Sequence, residues 1–317
     1  MNESLKRCSV LVTGATGFIG SKLLEHLLKI NKYSITCSLR EEGNLSAECG
    51  RYFTEVRQDS DWSGAIHEGQ IIIHLAARAH VVKEHSKNPL SEFRKVNVDG
   101  TLELARQAAA GGAKRFIFLS SIGVNGNSTS RPFTESDEAA PKSDYAQSKL
   151  EAEVGLWEIQ RETGMEVVII RPPLVYGPDA PGNFKAMVKW VERGVPLPLA
   201  SIDNRRSLIA LDNLVDFIHI CMEHSAAANQ LFLVADNEVI STTELLSEVA
   251  QAIGRPARLF PLPKVVLRRM AESLGKQKVA EQLLSSLVID NSKAVQKLDW
   301  QPPLTTYNGL KACFSKR

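Results

Sequence analysis

Short continuous apolar runs punctuate the chain, separated by longer stretches in which apolar residues return every three or four positions. Val10-Leu11-Val12, Ser34-Ile35-Thr36, Ile71-Ile72-Ile73, Phe116-Ile117-Phe118-Leu119 and Val167-Val168-Ile169-Ile170 read as strands buried on both faces. Leu23, Leu24, Leu27 and Leu28 carry the helical period after the first run, and LSEFRKVNVDGTLELARQAAAGGA reads as a long helix closing at Gly111-Gly112, where glycine suits a C-cap. Strands alternating with helices predict βαβ units and a parallel sheet. The expected fold class is therefore α/β, a Rossmann-like doubly wound parallel sheet with a smaller, mixed C-terminal domain. RPPLVYGPDAPG, from Arg171, breaks the pattern with proline and glycine and marks a domain transition. The larger domain is expected over 1–177, rejoined by 205–240, and the smaller over 178–204 and 241–317. Within that remainder LFLV reads as another strand, and Ser241-Thr242-Thr243-Glu244 is a capping box opening a helix that stops at Gly254.

The first strand runs into VLVTGATGFIG, where Gly14, Gly17 and Gly20 stand three residues apart. In a doubly wound sheet this turn lies at the ligand crevice. Glycines there let the backbone approach a pyrophosphate held at the helix N-terminus. Thr16, Phe18 and Ile19 belong to the same loop. The spacing GxxGxxG is a variant of the common GxGxxG fingerprint, and a tight packing turn is its structural alternative. The end of the second strand reads the cofactor ribose: an acid pairs with the 2′-hydroxyl of NAD, an arginine with the 2′-phosphate of NADP. Here Arg40 comes first and Glu41 and Glu42 follow, which leans towards NADP while leaving NAD open, and a solvated loop arginine remains the plain alternative. Asp59, just past a third strand, is a candidate for the adenine edge or a simple turn residue. These features make 1–177, rejoined by 205–240, the dinucleotide-binding domain, and 178–204 with 241–317 the substrate domain.

A second constellation is SDYAQSKL, in which Tyr145 and Lys149 stand four apart and project from one helix face. Ser120 and Ser121 follow the strand ending at Leu119, at the carboxyl edge of the sheet. A tyrosine of ordinary pKa about 10 must fall to near 7, about 4 kcal/mol, to act as a base at neutrality. An adjacent ammonium and a cationic nicotinamide together can supply that. Ser121 would hydrogen-bond the reacting oxygen.

Charge and composition narrow the partners. The 38 basic and 36 acidic residues leave a net charge of +2, which argues against nucleic acid and anionic membrane as partners. Five cysteines, odd in number and widely spaced, form no disulfide framework or zinc pattern, and a metal is not called for. MNESLKRCSV lacks the apolar region of a leader, and no run approaches membrane-spanning length, so a reducing cytoplasm is expected.

Taken together these motifs resemble the extended short-chain dehydrogenases/reductases of the NAD-dependent epimerase/dehydratase type, over essentially the whole chain. The resemblance rests on Gly14, Gly17 and Gly20, on HLAA (His74 to Ala77), on NVDGT around Asn97, on Ser121, Tyr145 and Lys149, and on RPPLVYGP. It implies that Leu75, Ala76, Ala77 and Asn97 run past the cofactor, that Asn183 and Phe184 sit near a nucleotide-sugar diphosphate, and that Arg205 or Arg206 clamps it, as bidentate arginine suits phosphate. It also implies a UDP-sugar substrate and a possible homodimer through the helices around Asn97 and Tyr145. Catalysis would then be hydride transfer at a sugar carbinol, with Tyr145 moving the proton, Lys149 orienting the ribose and Ser121 positioning the oxygen.

Ser121-Ile122-Gly123 stands where 4,6-dehydratases of this type carry Thr-Asp-Glu, so the group needed for that elimination is missing. A UDP-hexose 4-epimerase, acting on substrates of the UDP-glucose or UDP-N-acetylglucosamine kind, agrees with the shared motifs. The alternative is a UDP-4-keto-6-deoxyhexosamine 4-reductase, favoured by Arg40 in place of a ribose-binding acid. A non-catalytic dinucleotide-binding module is the third reading, opposed by the intact Ser121, Tyr145 and Lys149 set.

Overall fold

The structure is a computed structural model that describes residues 7–43, 45–79 and 88–315. The first six residues, part of the segment read above for a leader, lie outside it.

The apolar runs all become strands. β1 (Cys8–Thr13), β2 (Tyr33–Leu39), β3 (Gly50–Phe53), β4 (Ile71–His74), β5 (Arg115–Leu119), β6 (Glu166–Arg171), β7 (Leu174–Tyr176), β8 (Arg206–Ala210), β9 (Gln230–Leu233) and β10 (Val239–Ile240) follow in chain order. Seven of them form one sheet in the order β3-β2-β1-β4-β5-β6-β9, with every neighbouring pair parallel. Chain direction across the sheet reverses between β1 and β4, the switch point at which such sheets bind ligands.

Alternation along each strand serves two cores. Val10, Val12, Ile71, Ile73, Val168 and Ile170 pack on one face, while Leu11, Ile72, Phe116, Phe118, Val167 and Ile169 pack on the other. The helices that cover them are among α1 (Phe18–Ile30), α2 (Pro89–Arg94), α3 (Thr101–Ala110), α4 (Asp144–Thr163), α5 (Gly182–Glu192), α6 (Leu211–Glu223), α7 (Thr242–Ile253), α8 (Lys264–Ser273), α9 (Gln277–Leu284), α10 (Ser292–Leu298) and α11 (Thr306–Ala312). Leu23, Leu24 and Leu27 of α1 and Leu214, Phe217 and Ile218 of α6 bury against the first face. Leu104 and Ala108 of α3 and Ala152, Leu156 and Ile159 of α4 bury against the second. At α4 Ser143 accepts a hydrogen bond from the Ala146 amide at the N-cap, and Gly164 ends the helix at φ 76°. The long helix read from Leu90 to Gly111-Gly112 is α2 and α3 joined by a π-helical turn over Lys95–Gly100.

The smaller unit is a three-stranded mixed sheet, β10-β8-β7, under α5 and α7. Its strand β7 comes from within 1–177, and β8 and β10 come from within 205–240, whereas α6 and β9 of that segment return to the large sheet. Ala294, Leu298 and Trp300, within 241–317, also pack into the larger core. The capping box at Ser241 and Glu244 closes reciprocally, and α7 stops at Gly254 with φ 74°. Among the described residues no helix is long and apolar enough to cross a membrane.

Candidate active site

The glycine loop is pressed against the end of β4. Gly14 has φ +69°, and a Cβ there would lie 2.7 Å from the Ala76 nitrogen; a Cβ on Gly20 would lie 2.1 Å from the Gly14 carbonyl oxygen. The Gly17 amide donates to that same carbonyl at 3.0 Å, closing the turn, and Gly17 then caps α1 without a side-chain hydrogen bond. Orphan amide donors at a helix start, ringed by residues that tolerate no side chain, suit a pyrophosphate. Phe18 and Ile19 are half-buried and pack their side chains against the hydrophobic cores. Leu75 and Ala76 are tied to β1: the Leu75 amide donates to the Thr13 carbonyl and the Ala76 amide to Thr13 Oγ1, both at 3.2 Å. Ala77 continues this stretch, half-buried.

Beside the loop opens a cleft of about 550 Å³ lined by Thr16, Arg40, Glu41, Glu42 and Ser46 among others. Arg40 is the first residue beyond β2 and stands exposed at its edge. Asp59 lies in an exposed turn past β3 and does not line this cleft.

Across the switch point, Ser121 caps a short 3₁₀ turn, its Oγ accepting from the Gly123 amide at 3.1 Å. Lys149 is buried; its Nζ donates to the Leu119 carbonyl at 2.9 Å and sits 4.3 Å from the Phe118 ring centroid. Burial draws its pKa down to about 7, against the nearby Glu153 carboxylate, which holds it up. Tyr145 packs edge-on against Phe93 at 6.2 Å, and burial pushes its phenol up to about 12. The depression expected of Tyr145 is thus absent from the chain by itself, because desolvation is the one cause acting on the phenol here.

Asn97 sits in the π-helical turn, fully buried, and cross-ties the site. Its Oδ1 accepts from the Arg78 amide at 2.8 Å, and its Nδ2 donates to the Arg78 carbonyl at 3.1 Å and to Ser148 Oγ at 3.0 Å. Ser148 Oγ donates onward to the Tyr145 carbonyl at 2.8 Å. Asn97 therefore locks the stretch after β4 to the first turn of α4, with both amide hydrogens engaged by protein. His74 is held between Thr13 Oγ1 at 2.7 Å and Thr101 Oγ1 at 2.9 Å, and burial lowers its pKa to about 3.

Beneath the serines lies an ionic network that the sequence reading did not single out. Arg171 at the end of β6 forms a two-point ion pair with Glu153 of α4, which also accepts a short hydrogen bond from Ser120 Oγ. Arg171 Nη1 donates to Asn125 Oδ1 at 2.8 Å. The one legible hint was the placing of Glu153 four residues beyond Lys149, on the same helix face.

The substrate candidates divide. Asn183, in the first turn of α5, donates to Gln282 Oε1 at 2.9 Å, and Arg206 Nη1 donates to the Gln282 carbonyl at 2.8 Å and the Ser285 carbonyl at 3.0 Å. Gln282, from α9, thus brings Asn183 and Arg206 together, and nothing in its local sequence announced that. Arg205 is exposed and borders a separate cleft of about 460 Å³ with Ser241 and Glu244. Phe184 is 2% exposed and packs on Tyr176 in the smaller core, so its side chain does not face a ligand.

Residues 10–235 match the model of the NAD dependent epimerase/dehydratase family. The chain is 39% identical over 306 residues to a UDP-glucose 4-epimerase of Vibrio cholerae, covering 96% of this chain and 93% of that protein. It is 27% identical over 261 residues to an N-acetyl-alpha-D-glucosaminyl-diphospho-ditrans,octacis-undecaprenol 4-epimerase of Escherichia coli, covering 80% and 76%. In fold it is similar to UDP-glucuronic acid 4-epimerase from Bacillus cereus in complex with NAD, with a TM-score of 0.78 at 21% identity, 96% of this chain and 95% of that one being covered. With the sheet order, the glycine loop and the match over most of its length in agreement, the chain belongs to the NAD dependent epimerase/dehydratase family.

Proposed function

We propose that this protein interconverts the C4 epimers of a UDP-hexose, of the UDP-glucose or UDP-N-acetylglucosamine kind, with NAD(P) held at the switch point. What supports the reading is that Lys149 donates to the Leu119 carbonyl at the carboxyl end of β5, two residues before Ser121, with Tyr145 one turn earlier on α4, and that the nearby loop admits no side chain at Gly14 or Gly20. Gly14, Thr16, Gly17 and the first turn of α1 hold the pyrophosphate, and Lys149 exchanges its Leu119 carbonyl for the nicotinamide ribose. When bound, the nicotinamide supplies reversible hydride exchange with C4.

The rest is done by the chain. Tyr145 takes the C4 hydroxyl proton and later returns it, while Ser121 fixes the oxygen so that the same phenol serves both directions. A phenol near 12 is a poor base for this, so charge brought in with the ligands must lower it. Asn183 and Arg206 grip the diphosphate of the substrate, the arginine by two-point contact. Two chains paired through α2, α3 and α4 belong to the same reading, and sedimentation at micromolar concentration decides it.

One observation favours a second reading, a 4-reductase working with exchangeable NADPH. Arg40 stands on the cleft edge where a 2′-phosphate would lie, although Glu41 and Glu42 line the same cleft. The test is to incubate purified protein with UDP-glucose, UDP-galactose and their N-acetyl forms with catalytic NAD, and to follow C4 inversion by NMR. Failure to invert any of them, together with stoichiometric NADPH consumption on a UDP-4-keto-6-deoxyhexosamine, establishes the reductase instead.

A further inference from the structure

Of the eleven large hydrophobic side chains that stand exposed among the described residues, six fall between 260 and 279. Helix α8 concentrates them: Val265 is 60% exposed, Val266 40%, Met270 49%, and Leu274 just beyond its end 66%. No residue of α8 is fully buried; Leu267 alone of its large apolar side chains leans on the core beneath. Val266, Met270 and Leu274 follow at i, i+4 and i+8, so they form one outward row rather than a scatter. Single exposed apolar residues are ordinary on a protein surface, but a contiguous row rimmed by polar residues marks an interaction site.

Charge identifies the partner. Within residues 264–276 Lys264 is tied up by Asp203, which leaves Arg268, Arg269 and Lys276 against a single acid, Glu272. The near balance of 38 basic and 36 acidic residues over the whole chain averages this local excess away. An apolar row with Arg269 beside Val266 on the same side of the helix, its aliphatic stem able to lie flat and its head to reach upward, is the anatomy of a helix lying in a lipid interface. A second copy meeting this face about a two-fold axis would bring the same basic residues towards each other, which opposes self-association. We infer that α8 is a docking surface for an anionic lipid bilayer, with Val266, Met270 and Leu274 in the acyl boundary and Arg269 and Lys276 among the headgroups.

The position has a consequence for the site. Helix α9 packs on α8 and supplies Gln282, the residue that bonds both Asn183 and Arg206. Seating α8 on a bilayer therefore places the candidate diphosphate clamp close to the membrane surface. The docking itself does not depend on which sugar is turned over.

The experiment is co-sedimentation of the full chain with vesicles of phosphatidylcholine containing about one third phosphatidylglycerol, against pure phosphatidylcholine, at low and high salt. The protein should pellet with the anionic vesicles and be released by salt, as expected of a few basic residues near a charged surface. Met270→Asp with Leu274→Asp, and separately Arg269→Glu with Lys276→Glu, should each lower the bound fraction at least tenfold while circular dichroism and turnover of a soluble substrate stay unchanged. Equal pelleting with both vesicle types, no pelleting with either, or full retention by both variants overturns the proposal. So does a salt-independent dimer in solution that the Met270 and Leu274 substitutions abolish, since a second copy then covers the face.

Discussion

Removing the carboxylate of Glu153 should be among the costliest single changes in the molecule. Its side chain is 3% exposed and that of its partner Arg171 7%, so Glu153→Leu leaves a guanidinium buried with Asn125 as its remaining side-chain partner and Ser120 Oγ without its acceptor. Breaking a buried ion pair by taking one partner costs about 3–5 kcal/mol, most of it the stranded charge rather than the value of the pair. The same reasoning makes Glu153→Leu with Arg171→Met milder than Glu153→Leu alone, because both charges leave together. Urea denaturation followed by tryptophan fluorescence reads this out, since Trp62 and Trp300 are buried in the two cores that flank the large sheet. A Glu153→Leu variant within about 1 kcal/mol of the parent, or a double variant less stable than the single one, refutes the stranded-charge argument.

Three further outcomes follow from the same geometry. Tyr145→Phe keeps the ring on Phe93 and removes the hydroxyl, so kcat should fall at least a hundredfold with KM nearly kept; a variant retaining a tenth of the parent turnover removes Tyr145 from the chemistry. His74 titrates near 3 when folded and near 6.5 when unfolded, so the unfolded chain binds the extra proton between those values and stability is lost as pH falls from about 6.5 towards 3; His74→Asn should flatten that slope in a pH series of urea midpoints. If Arg40 meets a 2′-phosphate, NADPH should bind more tightly than NADH and Arg40→Asp should reverse the order, whereas equal affinities unchanged by the substitution take Arg40 out of the site.

The large sheet was legible because its strands are buried on both faces, which leaves runs such as Ile71-Ile72-Ile73 with no polar interruption. The glycine loop was legible for a related reason, since a backbone contact such as Gly14 on Ala76 forbids any side chain. What stayed hidden depends on partners distant in the chain. Glu153 meets Arg171 only once α4 and β6 are packed, and Gln282 reaches Asn183 across nearly a hundred residues. Phe184 shows the converse: it opens an apolar repeat with Met187, Val188 and Val191, and that repeat already describes a core face. The π-helical turn at Asn97 leaves no mark in the apolar period, because it shifts one turn of a helix that continues on both sides. Exposure of the α8 row is likewise invisible in its pattern, which reads as an ordinary amphipathic helix until its neighbours are placed.

The central claim, that C4 of a UDP-hexose gives up and regains its own hydrogen at this site, is tested most directly by epimerisation in heavy water. UDP-glucose and UDP-N-acetylglucosamine are each incubated with the protein and catalytic NAD in D₂O, and the C4 position of the product is read by proton NMR. Passage of the hydride to the nicotinamide and back, with Tyr145 exchanging only the hydroxyl proton, predicts inverted product that keeps protium at C4. Deuterium at C4 of the product, or no inverted product from either sugar, contradicts it.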